Sequence, residues 1–128
     1  MSRMIWVDEL RALRGRNHDT GPLTVQVVDV RSASEYAAGH IPCAINIPMN
    51  EIGSRLPDLH LDQTLVLVCQ RGQRASATAS LLRGHGLEAA VLQGGTQAWQ
   101  SSGAPLVVNA RTSVTLAAYW QSRFTPAS

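Results

Sequence analysis

Leu65-Val66-Leu67-Val68-Cys69-Gln70-Arg71-Gly72-Gln73-Arg74-Ala75-Ser76 decides the reading of this chain. Four apolar residues run into a cysteine, a short polar loop carries two arginines, and an Ala/Ser/Leu run of helical composition follows. The expected order is strand, tight loop, helix. A cysteine at the carboxyl end of a buried strand, facing a helix N-terminus, meets unpaired N–H groups and the positive end of the helix dipole. Both favour the thiolate, which is the nucleophilic form. Arg71 and Arg74 add permanent positive charge, and the same ring of donors can hold an anion. Gly72 supplies the freedom at positive φ that a tight loop uses. A free cysteine ending a strand is in most chains a small buried hydrophobe. The arginines, however, have no packing reason to stand beside a core cysteine. The stretch therefore reads as a nucleophilic cysteine in an anion cradle.

Upstream, Val25-Gln26-Val27-Val28-Asp29-Val30 is a β-branched run expected to be a central strand, and Arg31 follows it directly. Ser32-Ala33-Ser34-Glu35 is a capping-box pattern opening a short helix that Gly39 closes. Ala44–Ile47 reads as a brief strand, ended by Pro48. Ahead of these, Met4–Val7 suggests an opening strand, then a helix capped by Asp8 and ended by Gly15. Between Met49 and Leu61, Ile52, Leu56 and Leu59 keep helical spacing across Pro57 and Asp58, which suits one short helix or two turns. Downstream, a helix is expected from Arg74 to Arg83 and a strand from Glu88 to Leu92. Gly94-Gly95 reads as a turn opening a helix that carries Ala98 and Trp99 and stops at Gly103 and Pro105. Leu116, Tyr119, Trp120 and Phe124 would make Thr115–Phe124 an amphipathic helix.

Strands alternate with helices five times, the pattern of an α/β fold with a parallel sheet covered on both faces. Ligands in such sheets bind at the carboxyl ends of strands, where the Cys69 loop and Arg31 both lie. Cys43, just before a strand, falls at the opposite edge. A four-residue strand spans roughly 13 Å, while a disulfide needs Cα atoms within about 7 Å, so no Cys43–Cys69 bond is expected.

Composition narrows the function classes. One domain is the natural count for 128 residues. A net charge of +2 is too small to argue for nucleic acid. All eleven basic residues are arginine, which excludes Schiff-base and lysine-base mechanisms. Two cysteines make neither a disulfide framework nor a thiolate metal site. No N-terminal apolar stretch resembles a signal peptide, and no run approaches membrane-spanning length. The expected setting is a reducing cytoplasm, which keeps a reactive thiol free. Several residues carry bland readings: a structural hydrogen bond for His40, loop-holding roles for Asp29 and Glu35, core packing for Trp99, and a buried neutral thiol for Cys43. Arg31 is expected to be an ion-pair partner of a nearby carboxylate, with substrate contact the less favoured alternative.

At this point three motifs together resemble the rhodanese family. The first is Asp29-Val30-Arg31, then Glu35-Tyr36, then Gly39-His40-Ile41-Pro42-Cys43-Ala44-Ile45-Asn46-Ile47-Pro48. The second is the loop from Cys69 to Arg74, and the third is Gly94-Gly95 with Ala98-Trp99 and Gly103-Ala104-Pro105. The resemblance covers about residues 4 to 107. It implies a three-layer α/β sandwich in which a parallel five-stranded sheet is flanked by helices on both faces. It assigns 1–107 to the domain and leaves 108–128 as a C-terminal tail. It implies a sulfurtransferase in which Cys69 takes a sulfane sulfur from a donor such as thiosulfate, becomes a persulfide, and passes the sulfur to cyanide, a thiol or a protein acceptor. Arg74, Arg71, Gln70, Gly72 and Gln73 would bind the donor, with Arg31 as a further candidate. No cofactor or metal is implied, nor a nucleic-acid or membrane partner, and the expected state is a monomer or weak dimer. The chain departs from the common pattern at Cys43, where glycine is usual, at Arg71, where a small residue is frequent, and at Gln70 and Gln73, where arginine or lysine is frequent.

Two rival functions stand beside this one. A cysteine phosphatase or arsenate reductase also sets a cysteine and an arginine around an anion loop, with five residues between them. Here four residues separate Cys69 from Arg74, and the smaller ring suits a single sulfur atom better than a tetrahedral phosphate. A non-catalytic binding or regulatory module normally shows a replaced cysteine, and Cys69 is present.

Overall fold

The computed structural model describes residues 3–18, 25–59 and 62–108. Five strands form one sheet: β1 (Arg3–Ile5), β2 (Val25–Asp29), β3 (Ile45–Asn46), β4 (Thr64–Val68) and β5 (Ala90–Leu92), in the order β1-β5-β4-β2-β3. Every pairing is parallel. The helices are α1 (Val7–His18), α2 (Ala33–Ala38), α3 (Gln73–Gly84) and α4 (Gly95–Ser101), with a 3₁₀ segment over Met49–Asp58.

The central strands are buried on both faces, β2 throughout and β4 from Leu65 to Val68, and most of their residues are apolar. Val66 and Val68 of β4 enter one core with Val7 and Leu10 of α1 and Trp99 of α4. Leu65, Leu67 and Cys69 enter the other, with Ala75, Ala79 and Leu82 of α3 and Ile52 of the 3₁₀ segment. The period-two alternation of a strand thus delivers Cys69 to the α3 face. Removing a fully buried side chain such as Leu67 would cost about 2–5 kcal/mol.

Local sequence signals account for most element boundaries. Ser32 caps α2 in a reciprocal box with Glu35, as the spacing indicates. Of the Met49–Leu61 stretch, Met49–Asp58 is a 3₁₀ segment interrupted at Arg55, two residues before Pro57, and residues 60–61 lie outside the described residues. Two boundaries differ from expectation in α1. Its start is fixed at Trp6, whose N–H donates to Glu9 Oε1 at 3.0 Å and whose carbonyl accepts from the Leu10 N–H. Asp8 therefore lies within the first turn rather than at the cap, and α1 runs past Gly15 to His18. Cys43 also departs from the reading of a buried thiol: it is exposed. The backbone is left-handed there, with φ at 68°, and the turn gives the buried position to Ala44. The Thr115–Phe124 helix lies outside the described residues.

Candidate active site

The sheet places its functional loop by register. Asp29 pairs with Val68, and Asp29 also pairs with Asn46. The chain leaving β2 and the chain leaving β4 therefore emerge side by side at the carboxyl edge. From β4 comes Cys69, 1% exposed. Its Sγ accepts the Gly72 N–H at 3.0 Å and the Ala75 N–H at 3.4 Å. Gly72 makes this inward turn with φ at 114°, a conformation that L side chains resist. It also serves as the N-cap of α3 without any side-chain cap bond. No acidic residue stands in the first turn of α3. Among the described residues no acceptor pairs with the N–H groups of Gln73 and Arg74. The positive end of the helix is left to whatever the loop encloses.

The loop is braced from below by α4. The Thr96 N–H donates to the Cys69 carbonyl at 2.9 Å and the Gln97 N–H to the Gln70 carbonyl at 3.1 Å. This approach requires glycine at position 95, where an added Cβ would sit 2.2 Å from the Cys69 carbonyl oxygen and 2.6 Å from that of Gln70. Gly94-Gly95 is thus more than a turn before a helix: it lets α4 reach the loop. The double glycine was the available signal, but the strand and loop it contacts are distant in sequence.

The three arginines have different fates. Arg31 is buried and held by Asp29 through Nε at 2.9 Å and Nη2 at 2.7 Å, and its Nη2 also donates to the Gly39 carbonyl. It is the ion-pair partner that was expected. Asn46 closes this corner by donating to the carbonyls of Asp29 and Arg31, both at 3.0 Å. Arg74 lies in the first turn of α3 and meets Glu35 of α2 in a two-pronged pair, Nη1 to Oε1 at 2.7 Å and Nη2 to Oε2 at 3.0 Å. That pairing pushes the Glu35 carboxyl down to about 2. Glu35 in turn raises the Arg74 guanidinium above its ordinary value, with smaller contributions from Cys69 and Asp29. Arg71 is exposed, and no described residue pairs with it. Gln70 and Gln73 are exposed beside it. The structure therefore places Cys69, Gln70, Arg71, Gly72, Gln73 and Arg74 in one loop and first helical turn at the carboxyl edge, with Cys69 and Gly72 buried and Gln70, Arg71 and Gln73 exposed, while Arg31 sits in a closed pair with Asp29.

Other singled-out residues are structural. His40 is buried, stacks on Tyr36 with centroids 3.7 Å apart, and bonds the Tyr36 carbonyl through Nδ1. Trp99 is core, and its Nε1 donates to the Pro105 carbonyl. No cluster of His, Cys, Asp or Glu suited to a metal occurs among the described residues. Within them no helix is long and apolar enough to cross a membrane. A cleft of about 460 Å³ opens between Arg3, Thr64 and Glu88, at the amino ends of the strands and away from Cys69.

A buried cysteine ringed by main-chain N–H groups at the carboxyl edge of a parallel sheet has close relatives. The pattern that defines the rhodanese-like domain matches residues 7–102. The chain belongs to the rhodanese-like family. A sulfurtransferase of Allochromatium vinosum is 34% identical over 84 residues, covering 65% of this rhodanese-like chain and 78% of that protein. An HTH-type transcriptional regulator of Mycobacterium tuberculosis is 38% identical over 93 residues, covering 71% of this chain. The chain spans 40% of that regulator's length. Among solved structures, a rhodanese-like domain protein from Staphylococcus aureus is 33% identical with a TM-score of 0.69, covering 84% of this chain and 98% of its own.

Proposed function

We propose that the chain is a sulfurtransferase that carries a sulfane sulfur on Cys69. The observation that carries the reading is the Cys69 sulfur, enclosed by the N–H groups of Gly72 and Ala75 and facing an α3 terminus with no acid of its own. In the first half-reaction the Cys69 thiolate attacks the sulfane sulfur of a donor such as thiosulfate. A new S–S bond forms, the donor's own S–S bond breaks, and sulfite leaves with the electron pair. Negative charge then rests on the outer sulfur of the persulfide. N–H groups between Gly72 and Ala75 would receive it there, in the manner of an oxyanion hole. In the second half-reaction cyanide or a thiolate acceptor attacks the outer sulfur, the persulfide bond breaks, and the Cys69 thiolate is regenerated. The transfer calls for no redox cofactor, because the sulfur moves at the sulfane level and each bond it forms replaces one that breaks.

Arg71 and Arg74, with Gln70 and Gln73, would form the donor-facing rim, where charge-assisted bonds offset repulsion between an anionic donor and the thiolate. The test is intact-mass and peptide analysis after incubation with thiosulfate. Gain of one sulfur atom on Cys69, lost again on adding cyanide with release of thiocyanate, is the expected result. An unmodified Cys69 at saturating donor overturns the reading. The similarity to a transcriptional regulator favours a second reading, a domain that loads sulfur as a signal. Its mark would be a persulfide that forms normally but is not discharged by cyanide or small thiols.

A further inference from the structure

Donor choice at this loop depends on which cations are open. Arg31 is closed off by Asp29 and the Gly39 carbonyl. Arg74 presents both terminal nitrogens to Glu35, using the same fork that would grip two oxygens of a sulfonate. Glu35 does not depend on Arg74 for its place. Its Oε1 accepts from the Ser32 N–H at 3.0 Å and from Ser32 Oγ at 3.1 Å, so the α2 capping box holds the carboxylate at the rim. The pair is accessible, with side chains 39% and 35% exposed, so another anion can reach the guanidinium.

Resting on the sulfur-transfer reading above, we infer that Glu35 is a specificity-determining residue, an internal competitor that withholds Arg74 from anionic donors. A donor with an oxyanion head must displace the Glu35 carboxylate to engage Arg74. A neutral donor such as an organic trisulfide makes no such exchange: the Cys69 thiolate attacks its central sulfur, one S–S bond breaks, an organic thiolate leaves with the electron pair, and Cys69 holds the sulfane sulfur as a mixed trisulfide. The site is thereby biased toward organic polysulfide-type donors over thiosulfate. Glu35 stays ionised down to about pH 2, so the competitor is present throughout the working range.

The experiment measures sulfane-sulfur loading of Cys69 by intact mass, as persulfide from thiosulfate and as mixed trisulfide from a neutral organic trisulfide, in the wild type and in Glu35→Gln, Arg74→Ala and the double variant. Glu35→Gln is expected to lower the KM for thiosulfate about three- to tenfold, with kcat unchanged and the trisulfide parameters unmoved. In the Arg74→Ala background the gain should vanish. If Glu35→Gln fails to fold, Glu35→Asp keeps the charge and the helix N-terminus while drawing the carboxylate back by one methylene, and a smaller fall in KM is expected. A KM that rises, or a kcat that falls for both donors, overturns the inference and makes Glu35 a loop support. A gain that survives Arg74→Ala overturns it too, since the effect would not run through Arg74. Absence of any added sulfane sulfur on Cys69 with both donors in the wild type is a separate failure, that of the sulfur-transfer reading itself.

Discussion

The two edges of the sheet each carry one cysteine, and they are opposites. At the carboxyl edge Cys69 is buried, two N–H groups converge on its sulfur, and the left-handed residue of the turn is Gly72. At the amino edge Cys43 is exposed, and the left-handed residue is the cysteine itself. It does have a cation nearby. Arg14 donates to the adjoining Pro42 carbonyl, and burial pushes the Arg14 guanidinium below its ordinary value while contact with Cys43 opposes that shift. A thiol beside an arginine is therefore common to both edges. What differs is the backbone: only the Cys69 loop turns its N–H groups inward on the sulfur. Main-chain geometry, rather than the pairing of thiol with guanidinium, separates the two.

The sharpest way to break this comparison is Cys69→Ser, nearly isosteric and without a sulfur to load. Sulfur transfer should fall by more than about a hundredfold while the chain stays folded by circular dichroism. Turnover that survives would move the chemistry elsewhere, with Cys43 the first place to look. Next comes the brace beneath the loop. Gly95→Ala would drive a Cβ into the Cys69 and Gln70 carbonyls and should cost about 2–4 kcal/mol in urea unfolding, together with a loss of persulfide formation. Wild-type stability in that variant would mean that α4 does not press on the loop.

A smaller effect is expected on acidification. The Glu35 carboxyl is held at about 2, below its ordinary value of 4.5, chiefly by Arg74. The unfolded chain then binds the extra proton first. Stability from this pair is complete above about pH 4.5 and is lost as the pH falls toward 2. Denaturant midpoints measured across that window should decline less steeply in Glu35→Gln than in the wild type. The half-exposed setting keeps the difference modest. Parallel slopes would remove the pair from the stability account. The smallest effect belongs to Cys43→Ala, which should leave sulfur transfer within about twofold of the wild type. A larger loss, or a disulfide trapped between the two cysteines, would mean that the two edges communicate.

Much of the carboxyl edge was legible in the residues because its signals are local. The apolar run into Cys69, the glycine three residues on and the Ser32–Glu35 capping box each sit within one turn of chain. That Arg31 pairs with a nearby carboxylate was expected as well, and the structure identifies the partner as Asp29, two residues before it. The Arg74–Glu35 pair and the contact of Gly95 with the loop join segments that meet only after the sheet forms, so no local pattern announces them. Cys43 misled for a different reason. A cysteine is ordinarily buried, but a single left-handed φ at its own position sets the outcome, and composition does not report φ. The end of α1 was missed because glycine permits a helix stop without enforcing one.

The bonds from α4 hold the loop entirely by its backbone: they grip the carbonyls of Cys69 and Gln70 and leave their side chains alone. Gln70, Arg71 and Gln73 project outward, and their identities contribute nothing to that grip. Positions 70, 71 and 73 are therefore a mutable dial on a fixed mount. Selection, or a combinatorial library at these three sites, can retune charge and size at the rim while the nucleophile and its N–H cradle stay where they are. A new donor preference on this scaffold should be reachable through single substitutions, each passing through a folded and loadable intermediate.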